Sequence, residues 1–207
     1  MKKRILCYGD SNTWGHHRTD GVLERFDEHT RWPKRLQTLL GEGYEVIEEG
    51  LNSRTLCSEY DMAGYEGKNG FTYFMPCMDS HDKVDIVVLM LGTNELKKRF
   101  NNTAEAIVAM LDKYIRFIQN HPSRVDGTTA KIVVSGIPLV TEKTNEDYFG
   151  AGKKSREVAA LYESYCKEKG LPFINNADLE TWVDGVHLTA ESHAKLAERL
   201  AKVLRSI

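Results

Sequence analysis

The chain has no hydrophobic run of membrane-spanning length, and the apolar stretch behind the basic start Lys2-Lys3-Arg4 already ends at Asp10. Signal peptides and transmembrane helices need longer apolar segments, so we expect a cytoplasmic protein with no membrane partner. An excess of one charge is also missing, because 28 Lys and Arg residues balance 30 Asp and Glu residues. Nucleic-acid-binding domains usually carry a basic excess, so no nucleic-acid partner is predicted.

Sequence signals for metals, disulfides and nucleotides are equally scarce. The four cysteines form no C-x-x-C pair, which argues against a zinc site or a disulfide framework. Neither G-x-G-x-x-G nor G-x-x-x-x-G-K occurs, so we expect no nucleotide cofactor. His16-His17 beside Asp20 lacks a third ligand at a suitable spacing. We therefore interpret that segment as a solvated loop and predict no metal and no cofactor.

Strand and helix patterns alternate along the whole chain. Strands are predicted over 4–8, 44–48, 85–91, 131–136 and 172–175, and helices over 31–40, 72–81, 103–120, 152–169 and 190–205. Irregular segments are predicted over 64–70, 123–130 and 140–152. The strands at 86–91 and 132–134 are apolar throughout, which is typical of parallel strands covered on both faces by helices. The pattern predicts one domain, 1–207, with three α/β/α layers around a parallel sheet of about five strands.

Polar residues follow the first and third predicted strands. Ligands of open parallel sheets bind beyond the carboxyl ends of the strands, so Ser11 and Asn94 are expected at one rim. Gly9 allows a sharp turn that presents Ser11 at the edge of the sheet. A helix cap is the alternative interpretation for both residues, and on Ser11 alone it is favoured.

The segment Asp184-Gly185-Val186-His187 near the end of the chain favours a functional role for Ser11 over a helix cap. A serine nucleophile needs an imidazole to take its proton and a carboxylate to orient the imidazole. Asp184 can accept from one ring nitrogen of His187 and leave the other free. The alternative is an Asp-Gly turn with an incidental histidine. Thr189 is predicted to cap the last helix, and His193 within that helix is predicted to lie on the surface.

The Asn94 amide is a candidate donor to an oxyanion, a contribution worth roughly 100- to 1,000-fold in turnover. The stretch 49–55 past the second strand could offer a backbone N–H to the same oxyanion. Each piece is a weak signal alone, but together they fall in order at the exits of predicted strands.

These segments resemble the blocks of an SGNH hydrolase of the GDSL esterase family. The blocks are Gly9-Asp10-Ser11-Asn12, the stretch 50–55, Gly92-Thr93-Asn94 and Asp184-Gly185-Val186-His187, and the chain is most similar to the arylesterase and acyltransferase branch. The resemblance implies a flavodoxin-like SGNH hydrolase fold, with Ser11 as nucleophile, His187 as base and Asp184 as orienting acid. It also implies an oxyanion hole from the Ser11 N–H, a backbone N–H of the second block and the Asn94 side chain.

The chain departs from the family pattern at three positions. Asn12 replaces the leucine of the family name. Ser53 stands where the second block usually has the glycine that donates its N–H, and Gly50 is the other candidate donor. Glu95 replaces the usual aspartate after Asn94, and its extra methylene could reorient the support of the oxyanion loop.

The resulting hypothesis is a serine carboxylic-ester hydrolase for short acyl groups, acetyl above all. Trp14 is expected to wall the substrate pocket. The other pocket candidates are Asp10, Asn12, Gly50, Asn52 and Thr93. An acyltransferase, a lysophospholipase or thioesterase on the same site, and a carbohydrate-binding or scaffolding protein with a decayed site stay open as alternatives. The natural ester and assembly into a homo-oligomer are also left open.

Overall fold

Five parallel strands form the central sheet of the computed structural model, which describes residues 2–141 and 145–207. The strands, in the spatial order β4-β1-β5-β6-β7, are β1 (Lys3–Gly9), β4 (Tyr44–Gly50), β5 (Ile86–Met90), β6 (Lys131–Ser135) and β7 (Phe173–Ile174). Each pairs in parallel with its neighbours, so all carboxyl ends meet at one edge. The predicted parallel five-stranded sheet is confirmed.

Helices cover both faces of this sheet. Side chains alternate along β1, so Leu6 and Tyr8 join one apolar core while Ile5 and Cys7 join the other. The first core is closed by α3 (Gly70–Ser80), α4 (Ala104–Gln119) and α5 (Ala151–Lys169). The second is closed by α2 (Trp32–Leu40) and α6 (Ala190–Leu204). The three predicted layers are therefore present.

Three short elements at the start of the chain were not predicted. Helix α1 (Ser11–Trp14) follows β1 directly, and β2 (His16–Thr19) pairs antiparallel with β3 (Val22–Arg25). Asp20 and Gly21 connect the two strands with φ of 51° and 80°. An Asp-Gly pair with positive φ is the commonest signal for a tight hairpin, so this dipeptide was the available clue.

The prediction that His193 lies on the surface is wrong. His193 is fully buried in α6, and its Nδ1 accepts from the Trp32 N–H at 3.2 Å. Burial lowers the pKa of His193 to about 3, so it stays neutral and able to accept. The Thr189 cap is confirmed, because its side chain accepts from the Ser192 N–H.

Residues 142–144 of the irregular segment predicted over 140–152 lie outside the described residues. Among the residues described, no helix combines the length and the apolarity that crossing a bilayer requires.

Candidate active site

Ser11 is the first residue of α1, directly beyond the end of β1. Asp10 is the N-cap of that helix, and its Oδ1 accepts from the Asn12 N–H at 2.9 Å. Asp10 therefore caps the helix, and Ser11 does not serve as the cap. Ser11 is nearly buried, and its Oγ is left for other contacts.

His187 connects Ser11 to Asp184. Its Nε2 lies 2.9 Å from Ser11 Oγ, and its Nδ1 lies 2.6 Å from Asp184 Oδ2. Gly185 adopts φ of 72°, and a Cβ at this position would sit 1.8 Å from the Thr141 carbonyl oxygen. Only glycine fits this turn, which folds the carboxylate back onto the ring.

Asp184 is held as a carboxylate. Its Oδ1 accepts from the N–H groups of Val186 and His187, both at 3.0 Å. Partial burial opposes ionisation, but the hydrogen bond and charge of His187 outweigh it and lower the pKa of Asp184 to about 2. The group therefore accepts from the ring and fixes Nδ1 as the protonated nitrogen, which leaves Nε2 able to accept from Ser11.

Asn12 joins the two ends of the chain, a function that sequence reasoning missed. Its Nδ2 donates to the Val186 carbonyl at 3.3 Å, and its Oδ1 accepts from the Leu188 N–H at 2.9 Å. These bonds flank His187 on both sides along the backbone. Asn12 thereby positions the imidazole opposite Ser11 instead of lining the pocket as we expected.

Asn94 lies at the same rim with a fixed amide orientation. Nδ2 donates to the Arg54 carbonyl at 3.0 Å, while Oδ1 accepts from the Tyr148 hydroxyl at 3.3 Å. A carbonyl cannot donate, so the atom facing Arg54 has to be the nitrogen. One of its two protons is used there, and the second is available to a ligand.

Ser53 and Gly50, the two candidate backbone donors, differ in their surroundings. Ser53 lines the same cavity as Ser11 and Asn94, and its N–H has no acceptor among the residues described. Its φ of 65° lies in the left-handed region, which explains a preference for glycine at this place. Gly50 packs against α1, where a Cβ would lie 2.3 Å from the Trp14 nitrogen. Gly50 therefore permits close packing, and Ser53 is the available donor.

Glu95 ties the segment after β5 to the Ser53 segment. Its Oε1 accepts from the Leu56 N–H at 2.5 Å and from the Cys57 N–H at 3.2 Å. The side chain is fully buried, and burial raises its pKa to about 7 despite these donors. The longer side chain thus still joins the segment after β5 to the backbone that follows Ser53.

His16 contradicts the prediction of a solvated loop. Its ring stacks on the His187 ring with centroids 3.8 Å apart and planes 13° apart, and both ring nitrogens are buried. Burial, together with repulsion from His187, lowers the pKa of His16 to about 4, so the ring is neutral near pH 7. The hairpin β2–β3 brings this ring to the site, which local spacing could not reveal.

A cavity of about 360 Å³ opens above these groups. Of the predicted pocket residues, Asn52 lines it. Asp10, Asn12 and Thr93 are at most 2% exposed and support the rim from below. The prediction for Trp14 is wrong for this cavity, because its ring packs under the Arg25 guanidinium, 5.2 Å from the ring centroid.

Within residues 2–141 and 145–207, two groups of side chains bring three possible metal ligands within 4.8 Å of one another. In the first group, His16 lies beside Asp184 and His187, a combination of ligands that the spacing in the sequence did not indicate. A cation there would have to displace the proton between Asp184 and His187. The second group is Glu49, Cys77 and His81, where the Arg54 guanidinium already lies 3.6 Å from Glu49.

A five-stranded parallel α/β/α fold with a serine, an imidazole and an amide at the carboxyl edge matches the SGNH hydrolase class. The chain belongs to the GDSL-like lipase/acylhydrolase family, whose sequence model matches residues 7–195. It is similar to the aryl esterase of M. smegmatis, with 32% identity, 99% of both chains covered and a TM-score of 0.91. A carbohydrate acetylesterase from Sinorhizobium meliloti is similar at 28% identity, with 99% of both chains covered and a TM-score of 0.91.

An acetylxylan esterase of Xylanibacter ruminicola is a more distant relative, 23% identical over 225 residues. The match covers 98% of this chain but 43% of that relative, so the chain spans less than half of its length.

Proposed function

We propose that the protein is a serine carboxylic-ester hydrolase in which Ser11, His187 and Asp184 form the catalytic triad. The observation that carries the proposal is the row of hydrogen bonds from Ser11 Oγ through His187 to Asp184, which joins residues 176 positions apart in sequence. Family membership supports the reaction class.

In this proposal Ser11 Oγ attacks the ester carbonyl while His187 Nε2 takes its proton. His187 then returns the proton to the departing alcohol, and Asp184 stabilises the imidazolium in between. Water, activated by the same ring, releases the acyl group from Ser11. The low pKa of Asp184 supports this role, because the carboxylate remains charged while the ring gains a proton.

The oxyanion of the tetrahedral intermediate is bound by three donors in this proposal: the Ser11 N–H, the Ser53 N–H and the second Nδ2 proton of Asn94. Ser53 and Asn94 line the cavity beside Ser11, which supports the assignment. Donors fixed before the reaction stabilise developing charge without reorganisation.

We propose short acyl groups, acetyl above all, as the transferred group. Two relatives are named for the removal of acetyl groups from carbohydrates, which supports this size limit. Faster turnover of octanoyl than of acetyl p-nitrophenyl esters would contradict it. Acyl transfer shares every step up to the acyl-enzyme, and product analysis with an added alcohol distinguishes transfer from hydrolysis.

The deciding experiment compares Ser11→Ala with Ser206→Ala, an exposed serine at the end of the chain. We expect Ser11→Ala to fold normally, to lose at least about 10⁴-fold in kcat on p-nitrophenyl acetate and to resist labelling by a fluorophosphonate probe. Ser206→Ala should match the unmodified protein in both assays. Unchanged hydrolysis by Ser11→Ala would end the assignment.

A further inference from the structure

The cavity above Ser11 carries a positive charge that contrasts with the net charge of the chain. The cations Arg18, Lys68 and Lys97 line it, whereas Asp147 is the one carboxylate among the described lining residues. Asp147 interacts with two cations, since its Oδ1 lies 3.6 Å from the Arg99 guanidinium and its charge also acts on Lys97. The chain as a whole has a formal net charge of -2, so this local excess is not a property of the general surface.

Lys97 is the unusual member of this set. It is 8% exposed, and no carboxylate among the residues described lies within 4 Å of its Nζ. Its contacts are the Tyr60 hydroxyl at 3.1 Å and the rings of Tyr60 and Tyr148, whose centroids lie 5.3 Å and 5.8 Å from Nζ. Buried charges are normally paired, because removing an ammonium from water is costly. Two aromatic faces, one hydroxyl and the more distant carboxyl groups of Asp147, Asp10 and Glu95 offset part of that cost, and burial still prevails.

Lys68 and Arg18 extend the charge from Lys97 towards solvent. Lys68 is half-buried and has no ion pair among the described residues. Arg18 is exposed on the hairpin β2–β3, where one of its nitrogens donates to the Gly21 carbonyl at 2.9 Å and the others remain available. A ligand in the cavity is therefore surrounded by three cationic side chains as well as by Ser11.

We propose that the preferred substrate is an ester that bears a second, anionic group, a carboxylate above all, and that Lys97 binds this anion with Lys68 and Arg18 at the rim. The inference rests on the proposed esterase function and specifies its substrate class. Bringing the anion to Lys97 pairs a buried charge, so anionic substrates gain binding energy that neutral analogues lack.

The test uses two pairs of esters that differ in one charge. The first pair, 3-(4-acetoxyphenyl)propanoate and its methyl ester, carries the charge on the alcohol half. The second, monoethyl succinate and diethyl succinate, carries it on the acyl half and is followed by pH-stat titration. We expect the anionic member to be favoured about tenfold in kcat/KM in one of the pairs, which identifies the half that faces Lys97. The preference should shrink at high ionic strength.

Lys97→Met should bring this preference, measured as the ratio of the two kcat/KM values, to about twofold or less. Lys97→Arg should retain the preference. Lys153→Met is the matched control, since that side chain is 83% exposed on α5 and should change neither rate. If Lys97→Met does not fold, the double substitution of Lys68 and Arg18 by Met should reduce the same preference.

Equal rates within each pair, or a preference that survives Lys97→Met, would overturn the proposal. Failure of the esterase assignment is recognised separately, because neither member of a pair would then be hydrolysed. In that case calorimetry on Ser11→Ala still decides: either 3-(4-hydroxyphenyl)propanoate should bind at least about tenfold more tightly than its amide, or monoethyl succinate should bind at least about tenfold more tightly than diethyl succinate. Equal affinities within both pairs would refute an anion site.

Discussion

Two acidic side chains flank the candidate active site, and the structure treats them in opposite ways. Asp184 accepts three hydrogen bonds, two from backbone N–H groups and one from His187, and its side chain is 26% exposed. Glu95 accepts two backbone N–H groups on Oε1, but Oε2 has no partner among the described residues and the side chain is fully buried.

The charge states differ accordingly. Hydrogen bonds and the His187 charge overcome burial at Asp184 and lower its pKa to about 2, whereas burial prevails at Glu95 and raises its pKa to about 7. Both carboxyls hold a turn beside the site, but only one is held as an anion throughout the neutral range. The number of donors and the access of water, not the residue type, decide which carboxyl can stabilise an imidazolium.

The same carboxyl-to-amide change should therefore have very different effects at the two positions. Asp184→Asn presents an amide that can donate to His187 Nδ1, which favours the tautomer with the proton on Nε2 facing Ser11. We expect kcat for p-nitrophenyl acetate to fall about 10⁴-fold. Glu95→Gln should stay within about threefold at neutral pH, because the amide oxygen can still accept from Leu56 and Cys57. Similar losses in both variants would contradict this distinction.

Asn94→Ala probes the amide that stands next to Glu95 in the same segment. Removing one oxyanion donor should lower kcat about 100- to 1,000-fold with little change in KM, because the donor acts mainly in the transition state. Asn120→Ala is the control, since Asn120 caps the end of α4 away from the cavity. A rise in KM at constant kcat would assign Asn94 to ground-state binding instead.

Glu95→Gln should have little effect on activity, but it should change how the free energy of unfolding depends on pH. The folded pKa of Glu95 is raised to about 7 from an ordinary value of 4.5, so its contribution is fully present below about pH 4.5 and is lost as the pH rises through 7. The free energy of unfolding of the unmodified protein should therefore fall relative to Glu95→Gln between about pH 5 and about pH 8.5, by on the order of 3 kcal/mol.

Urea denaturation of both proteins across that pH range measures this difference. Asp10 titrates in the same direction, since burial raises its pKa to about 6, but it is present in both proteins and cancels in the comparison. A difference in unfolding free energy that is independent of pH would show that Glu95 does not titrate in this range.

The sheet was predictable because two of its central strands contain continuous apolar runs, and the rim of the sheet because polar residues follow the strands directly. The 86–91 run and the placement of Ser11 and Asn94 illustrate both signals. The roles assigned to Ser11, His187 and Asp184 remain predictions until the variants are measured.

Two of the residues that sequence reasoning misjudged depend on contacts between distant segments. Asn12 interacts with the backbone of Val186 and Leu188, and His193 accepts from the Trp32 N–H, 161 positions away. Sequence analysis placed Asn12 in the substrate pocket and His193 on the surface. A polar side chain with a buried partner cannot be distinguished from an exposed one by composition or spacing, because the partner is supplied only by the tertiary fold.

Sequence analysis also misjudged His16, whose ring stacks on His187, the imidazole that Asp184 orients. Stacked rings contribute roughly 0.5–1.5 kcal/mol, so His16→Ala should lower kcat by up to about tenfold by loosening His187. His16→Phe keeps a flat ring and should stay within about twofold, with an unchanged pH profile near neutrality because His16 is already uncharged there. His17→Ala, on the same hairpin but stacked on Phe26, controls for damage to the hairpin. If Phe is as harmful as Ala, a ring nitrogen of His16 matters, and orientation of His187 would depend on more than Asp184 and stacking.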